Sequence, residues 1–403
     1  MKTMKSMATL GAWLLLVLGQ AYAADPIRIG EINPYSGPLA VYGLEVTRGH
    51  EIAVDEANAA GGVLGRKIEL IRGDATNPQQ AIAVVEQLAT REKVDLFAGT
   101  YVSAVSNAAS DAALRYNKLY WETNGTAQEL TDRGLPNFVR TGPNATSFAV
   151  RSVQALKEVV APAFKKSPKD VKIWIEHEDF SFGTSIAQTL RKLLEADGIK
   201  PVGMGSHSFK AIDMNDVVLR VKQANPDVLV MIGFVPDGNL LLKNMRDQNY
   251  KVPVMFVGMG DTVETLQPNG AAGVERILSV SYPRPDLPEA YSPSGKQYVD
   301  AYRAKYGQDP VASLGMTAYV GFKMLLEAIQ AAGSTDVEKV RAAAAKLDKP
   351  YRSYAGGYGV KFDDKFQNTR ALPVVIQWQS GNVVTVYPNE ARAPGASLRP
   401  LTP

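Results

Sequence analysis

The chain has 403 residues, 44 Lys and Arg against 41 Asp and Glu, and no cysteine. Without cysteine there is no disulfide, no thiolate nucleophile and no Cys-type zinc site. The three histidines, His50, His177 and His207, are far apart and show no HExxH spacing, which argues against a His metal site, and a near-neutral chain without a basic run argues against nucleic acid as a partner.

The N-terminus reads as a cleavable export signal. Lys2 and Lys5 form a positive region, Leu10 to Leu18 a short apolar core, and Ala21-Tyr22-Ala23 a small-x-small site, so cleavage is expected before Ala24. The apolar run is shorter than the about 20 residues that span a bilayer. No Cys follows it, so no lipid tether is expected, and no later stretch suggests membrane insertion. The mature chain is expected in a bacterial periplasm. Its charge is 42 against 41 once Lys2 and Lys5 are removed from the 44. Its length is too great for one ordinary core and predicts two domains.

Strand and helix signals then alternate. Strands are expected at 27–32, 68–71, 94–98 and 119–123, with helices at 46–60, 78–91 and 103–116 between them. Pro78 sits at a favoured helix start. A second series follows Pro143: helices at 147–164, 185–196, 217–223 and 240–248, strands at 171–175, 201–209, 228–232 and 254–257. Such alternation predicts α/β architecture, each series a doubly wound parallel sheet. The Pro-rich stretch Tyr282 to Pro288 reads as a crossover. Helices at 289–305, 313–332 and 337–347 and short β segments near 356–357, 373–378 and 383–386 complete the chain.

No nucleophile elbow and no phosphate loop is present. The densest titratable cluster, Glu176-His177-Glu178-Asp179, follows the strand 171–175 and so falls where α/β ligands bind. It leaves open a periplasmic enzyme, although no positioned nucleophile accompanies it. Ser103, past the strand 94–98, and Thr126, past the strand 119–123, fit a binding role better. Hydroxyls beside free N–H groups at a helix start can hold a carboxylate without Arg or Lys. The same residues can serve as plain helix caps.

At this point the sequence resembles the periplasmic solute-binding proteins of branched-chain amino acid ABC transporters, the Leu/Ile/Val-binding type. The resemblance is carried by Ile29-Gly30, Ser36 to Gly43, Ala59 to Leu70, Asp74 with Pro78 to Ala81, Thr126 to Thr131, Phe138 to Thr141, Phe182-Gly183 and Pro226-Asp227. It implies a type I fold of two lobes joined by three crossovers: 25–143 plus 283–373, and 144–282 plus 374–403. It implies a ligand in the cleft, with carboxylate-binding hydroxyls on Ser103 and Thr126, a backbone contact at Asn124, a mouth aromatic at Tyr42, and Phe182 where the family carries Tyr. The acid that holds a ligand ammonium aligns with Gly260, with Asp261 one step away. Tyr42, Tyr101, Trp121, Phe182 and Phe234 can instead line a flat apolar slot for a planar acid, Trp121 and Phe234 being also readable as core. The expectation is therefore a monomeric, cofactor-free binding protein, not an enzyme. It would close over a small carboxylate and deliver it to a membrane permease. An amino acid and an amine-free, for instance aromatic, acid are both open; a sensor ectodomain is a further alternative.

Overall fold

The computed structural model describes residues 25–401; the expected leader and its cleavage site lie outside the described residues. The first sheet is parallel, in the order β2-β1-β3-β4-β5, from β1 (Ile27–Asn33), β2 (Ile68–Asp74), β3 (Leu96–Gly99), β4 (Tyr120–Glu122) and β5 (Phe138–Arg140). Between them run α1 (Ala40–Ala59), α2 (Pro78–Thr90), α3 (Ser103–Arg115) and α4 (Glu129–Asp132). Asn77 caps α2 by accepting the Gln80 N–H at 3.0 Å, with Pro78 in the first turn, where no donor is needed.

The chain then crosses into α5 (Ala145–Ala155), which continues through a π-helical turn at Leu156–Val160 into α6 (Ala161–Ala163). The second sheet has seven strands, in the order β14-β13-β10-β9-β8-β6-β7. Five are parallel: β6 (Ile173–Glu178), β7 (Gly203–His207), β8 (Val228–Ile232), β9 (Val254–Val257) and β10 (Leu278–Ser281). Their helices are α7 (Ser181–Ala196), α8 (Asn215–Ala224), α9 (Val235–Asp247) and α10 (Val263–Val274). The sheet is mixed rather than purely parallel. β13 (Val374–Gln379) joins β10 antiparallel, and β14 (Asn382–Tyr387) folds back on it, because a short turn at Ser380-Gly381 makes a hairpin instead of a helical crossover.

Between β10 and β13 come α11 (Gly295–Tyr306), α12 (Leu314–Ala332) and α13 (Val337–Ala344), then a small ribbon of β11 (Asp348–Lys349) and β12 (Val360–Lys361). α12 and α1 pack side by side on the first sheet with Ile27, Ile29, Ile52, Tyr319, Phe322 and Leu325 in their shared core. They approach so closely that a Cβ on Gly49 would stand 2.1 Å from the Gly315 carbonyl oxygen. Among the described residues no helix is long and apolar enough to cross a membrane.

Several boundaries differ from expectation for local reasons. α9 begins at Val235, not 240, because Asp237 accepts the Phe234 N–H at 3.0 Å and Pro236 fits the first turn. α10 escaped the sequence reading because Pro268 and Gly270 interrupt its pattern; Gly270 is non-helical, at φ 67°. β10 escaped because its alternate residues are the buried serines Ser279 and Ser281, which read as loop.

Both sheets share one winding. In the first the order reverses between β1 and β3, in the second between β6 and β8. Ligands of open α/β sheets sit outside the carboxyl ends of strands at such switch points. The loops after β1, β3 and β4 therefore face those after β6, β8 and β9, and the lobes meet there. Gln128 N–H donates to Ser185 Oγ at 2.9 Å, and the Tyr42 and Thr262 hydroxyls are 3.3 Å apart. Apolar packing runs unbroken from one lobe into the other through this contact.

Candidate functional site

The polar wall of the cleft is built on the loop after β4. Glu122 and Arg140, at the ends of β4 and β5, are register partners and fully buried. The Glu122 carboxylate accepts the backbone N–H groups of Thr100 (2.7 Å), Asn124 (2.9 Å) and Gly125 (2.7 Å), and the Ser106 hydroxyl. Arg140 donates to the carbonyls of Gly125 (3.1 Å) and Ala127 (2.6 Å) and to Thr131 Oγ1 (3.0 Å). The loop is thus clamped by its N–H groups on one side and its carbonyls on the other. Burial pushes the Glu122 carboxyl up to about 7, against the downward pull of Ser106 and the three amides. Burial brings Arg140 down to about 10, although Glu122 nearby opposes the change.

This clamp sets the hydroxyls. Ser103 Oγ accepts the N–H groups of Thr126 (3.0 Å) and Ala127 (3.1 Å). Both its lone pairs are then used, so its proton is left to donate, which is what an anion requires. Thr126 Oγ1 lies 3.1 Å from the Asn124 carbonyl oxygen and 2.9 Å from the Tyr282 hydroxyl, and Tyr282 donates to the same carbonyl at 2.8 Å. Asn124 Nδ2 donates to the Leu314 carbonyl at 3.1 Å, while its Oδ1 is buried without a partner.

A run of rings starts on the first lobe with Tyr42 and Tyr101 and crosses to Phe234, Phe182 and Phe209 on the opposite wall. Tyr42 stacks on Tyr101 with centroids 5.1 Å apart; Tyr101 meets the edge of Phe234 at 5.9 Å; Phe234 contacts Phe182 at 5.3 Å and Phe209 at 5.1 Å. Phe234 and Phe182 sit at the starts of α9 and α7, and Gly258 lies so near Phe182 that a Cβ there would be 2.6 Å from the ring. At Gly260 φ is +84° and a Cβ would stand 2.3 Å from the Phe256 ring, so no acidic side chain fits on this backbone. Asp261 is buried, but its Oδ2 already accepts Ser281 (3.0 Å) and Ser313 (2.7 Å), with the Arg284 guanidinium 3.6 Å away.

The seven residues singled out in the sequence, Tyr42, Ser103, Asn124, Thr126, Phe182, Phe234 and Asp261, are therefore neighbours around one cleft. Trp121 is not among them. It points to the other face of β4, donates to the Gly321 carbonyl at 2.9 Å and packs edge-on against Phe362, so it is core of the first lobe. Residues missed at the sequence level are Tyr282, Arg284, Glu122 and Arg140. The first two lie in the Pro-rich crossover, whose Tyr and Arg were the available signal.

Glu176 to Glu178 lie inside β6, not beyond it, because the strand runs three residues into the polar cluster and beyond the expected end at 175. Glu176 accepts Trp174 Nε1 (3.1 Å) and faces Arg220 (3.2 Å) and His207 (3.4 Å). Glu178 accepts the N–H groups of Phe180 and Gly183 and so caps α7. Asp179 accepts the Phe209 N–H at 3.1 Å. His207 is lowered by burial but raised further by Asp237 and Glu176, the net being about 9. No group of three metal-ligating side chains occurs among the described residues.

Comparison with known proteins agrees with this architecture. A family model described as periplasmic binding protein matches residues 26–382. A Leu/Ile/Val-binding protein homolog 7 of Brucella suis biovar 1 is 38% identical over 380 residues, 93% of this chain and 95% of that one. Among solved structures, a leucine binding protein from Thermotoga maritima superposes with TM-score 0.78 at 22% identity, over 91% of this chain and 99% of that one. A solute binding protein from R. palustris in complex with 4-hydroxybenzoate does so with TM-score 0.73 at 22% identity, over 92% and 95%. These relatives are solute-binding proteins. The chain belongs to the periplasmic binding protein family, in its Leu/Ile/Val-binding branch.

Proposed function

We propose that this protein is exported, with its leader cut before Ala24, and acts as a monomeric periplasmic receptor of an ABC importer. It would capture a small carboxylate between its lobes and hand it to the permease. The observation that carries the reading is the Ser103 hydroxyl: both its lone pairs are taken by the Thr126 and Ala127 N–H groups, so it offers only a proton. Thr126 stands beside it as the second hydroxyl. The ligand's apolar body would lie against Tyr42, Tyr101, Phe182 and Phe234. Closure follows from population shift: a ligand that touches both walls binds the closed form better than the open one. No step of this needs a cofactor, and energy would come from the transporter's ATPase.

The lobes would be 25–143 plus 283–373 and 144–282 plus 374–403, with the crossovers as hinges. Two ligand classes suit the hydroxyl pair. A branched-chain or other amino acid would have to place its ammonium on the free Oδ1 of Asp261. An amine-free aromatic acid is favoured by the run of rings on the second wall. The test is Ser103→Ala with Thr126→Ala, assayed by calorimetry against a panel of amino acids and aromatic acids. Two charge-assisted hydrogen bonds of about 1.5–3 kcal/mol each are lost, so binding should fall by at least about a hundredfold while the circular dichroism spectrum holds. Unchanged binding would remove both residues from the site.

A further inference from the structure

Resting on that reading of the hydroxyl pair as the carboxylate site, we infer that Tyr101 is a specificity-determining residue whose hydroxyl takes a second polar group of the ligand, a hydroxyl or a carbonyl on its body. Three tyrosines stand in the cleft. The Tyr42 hydroxyl lies 3.3 Å from that of Thr262, and the Tyr282 hydroxyl pairs with Thr126 at 2.9 Å and with the Asn124 carbonyl at 2.8 Å. The Tyr101 hydroxyl has no hydrogen-bond partner among the described residues, although the residue is only 8% exposed. A polar group withdrawn from water and left unpaired costs free energy, and a ligand that pairs it removes that cost. Tyr120 and Tyr298 also carry unpaired hydroxyls, but both residues are 0% exposed and enclosed by core side chains. Tyr101 differs in standing between the two lobes, against Tyr42 of the first and Phe234 of the second.

The hydroxyl is held in place before any ligand arrives. Glu122 fixes the Thr100 N–H at 2.7 Å on one side of Tyr101, and Ser103 opens α3 two residues on. The ring stacks on Tyr42 at 22° and 5.1 Å and meets Phe234 at 73° and 5.9 Å. Such preorganisation lowers the ordering cost of binding. The charge around the hydroxyl selects what it can take. Burial above all holds its pKa well above the usual 10, and Tyr42, Tyr282, Asp261 and Asp237 push it the same way. It is therefore a neutral hydroxyl that can donate or accept, with two acidic side chains acting on it. A second carboxylate would meet their repulsion, and an ammonium, where the ligand has one, has the charged Asp261 Oδ1. A hydroxyl or carbonyl suits Tyr101 itself.

Three ligand pairs isolate the second polar group: 4-hydroxybenzoate against benzoate, tyrosine against phenylalanine, and threonine against valine. Calorimetric titration of the mature protein should show the hydroxylated member binding more tightly, by about two- to tenfold, in the pair whose body fits, the worth of one neutral hydrogen bond. Tyr101→Phe keeps the ring and its stacking. It should abolish that preference while the unhydroxylated member binds as well as before or better, since no hydroxyl is then left unpaired. A structural role for the hydroxyl would instead weaken both members alike, as would a contact to a ligand ammonium. A wild-type preference for the unhydroxylated member, a ratio unmoved by Tyr101→Phe, or no binding in any pair overturns the inference. If Ser103→Ala with Thr126→Ala abolishes binding while the Tyr101→Phe ratio stays put, the carboxylate site stands and only the role of Tyr101 falls. Binding indifferent to the double substitution removes the carboxylate site itself.

Discussion

The two walls of the cleft solve the same problem, holding side chains still at the ends of strands, by different means. The first-lobe wall is a hydrogen-bonded loop whose N–H groups end on Glu122 and whose carbonyls end on Arg140. The second-lobe wall is a run of rings held by packing, with Asp261 and Arg284 at its edge and further charge beneath it: Asp237 caps the Phe234 N–H, and His207 lies 3.8 Å from Asp237 and 3.4 Å from Glu176. A polar wall must satisfy every backbone group it buries, so it needs a scaffold of buried ions. A ring wall needs shape, and tolerates change in small steps.

The largest expected effect breaks the polar scaffold. Arg140→Met leaves the carbonyls of Gly125 and Ala127, Thr131 Oγ1 and Gln367 Oε1 without their donor, and leaves Glu122 without a nearby cation. Removing one member of such a buried charged cluster costs roughly 3–5 kcal/mol. Urea unfolding reads this directly; a loss below about 1 kcal/mol, the scale of an ordinary surface change, would mean the loop holds its shape without the clamp.

A smaller effect is expected on the ring wall. Phe234→Leu keeps most of the apolar volume and should cost less than about 1.5 kcal/mol of stability. It removes the edge and face contacts to Tyr101, Phe182 and Phe209. The affinity for acids with a flat body should fall about tenfold, while the need for a carboxylate remains. Titration with benzoate and its neutral amide, benzamide, checks both halves. A variant that accepts benzamide as readily as benzoate would show that the rings, not the hydroxyls, read the acid.

The two walls were not equally legible in the sequence. Strands such as 228–232 are long apolar runs, and the β/α alternation that they punctuate gave the architecture. Ser103 and Thr126 stood out as candidates because hydroxyls just past strands are conspicuous. Phe182 and Phe234 were placed by the resemblance and by the run of aromatics. The scaffold could not be found. β4 and β5 are three residues each, too short to show a period of two, and the Glu122–Arg140 pairing exists only once the strand order is known. Trp121 stayed open between slot and core for the same reason: in so short a strand its face cannot be told from that of Glu122. Tyr282 and Arg284 sat in a stretch whose prolines read as linker, and the contacts that define them span more than 150 residues for Tyr282 and 23 for Arg284.

The smallest expected effect separates the walls by pH. Each hides one carboxyl that burial pushes up to about 7: Glu122 under the polar loop, and Glu178, which caps α7 under Phe182. The ordinary value is 4.5, so folding raises both. Such a group stabilises the fold relative to alkaline conditions: its contribution is fully present below about 4.5 and is lost as pH rises through about 7. Melting temperature should therefore fall between pH 5 and pH 8. Glu122→Gln keeps an acceptor for the Thr100, Asn124 and Gly125 N–H groups but removes the proton that titrates, and should make that fall shallower. Glu178→Gln should do the same with a smaller effect, since two amides rather than three amides and a hydroxyl depend on it. Melting curves at four pH values for the three proteins decide it. Parallel slopes in all three would mean that the charge on these carboxyls is carried by neither wall, and that Glu122 holds its loop by shape alone.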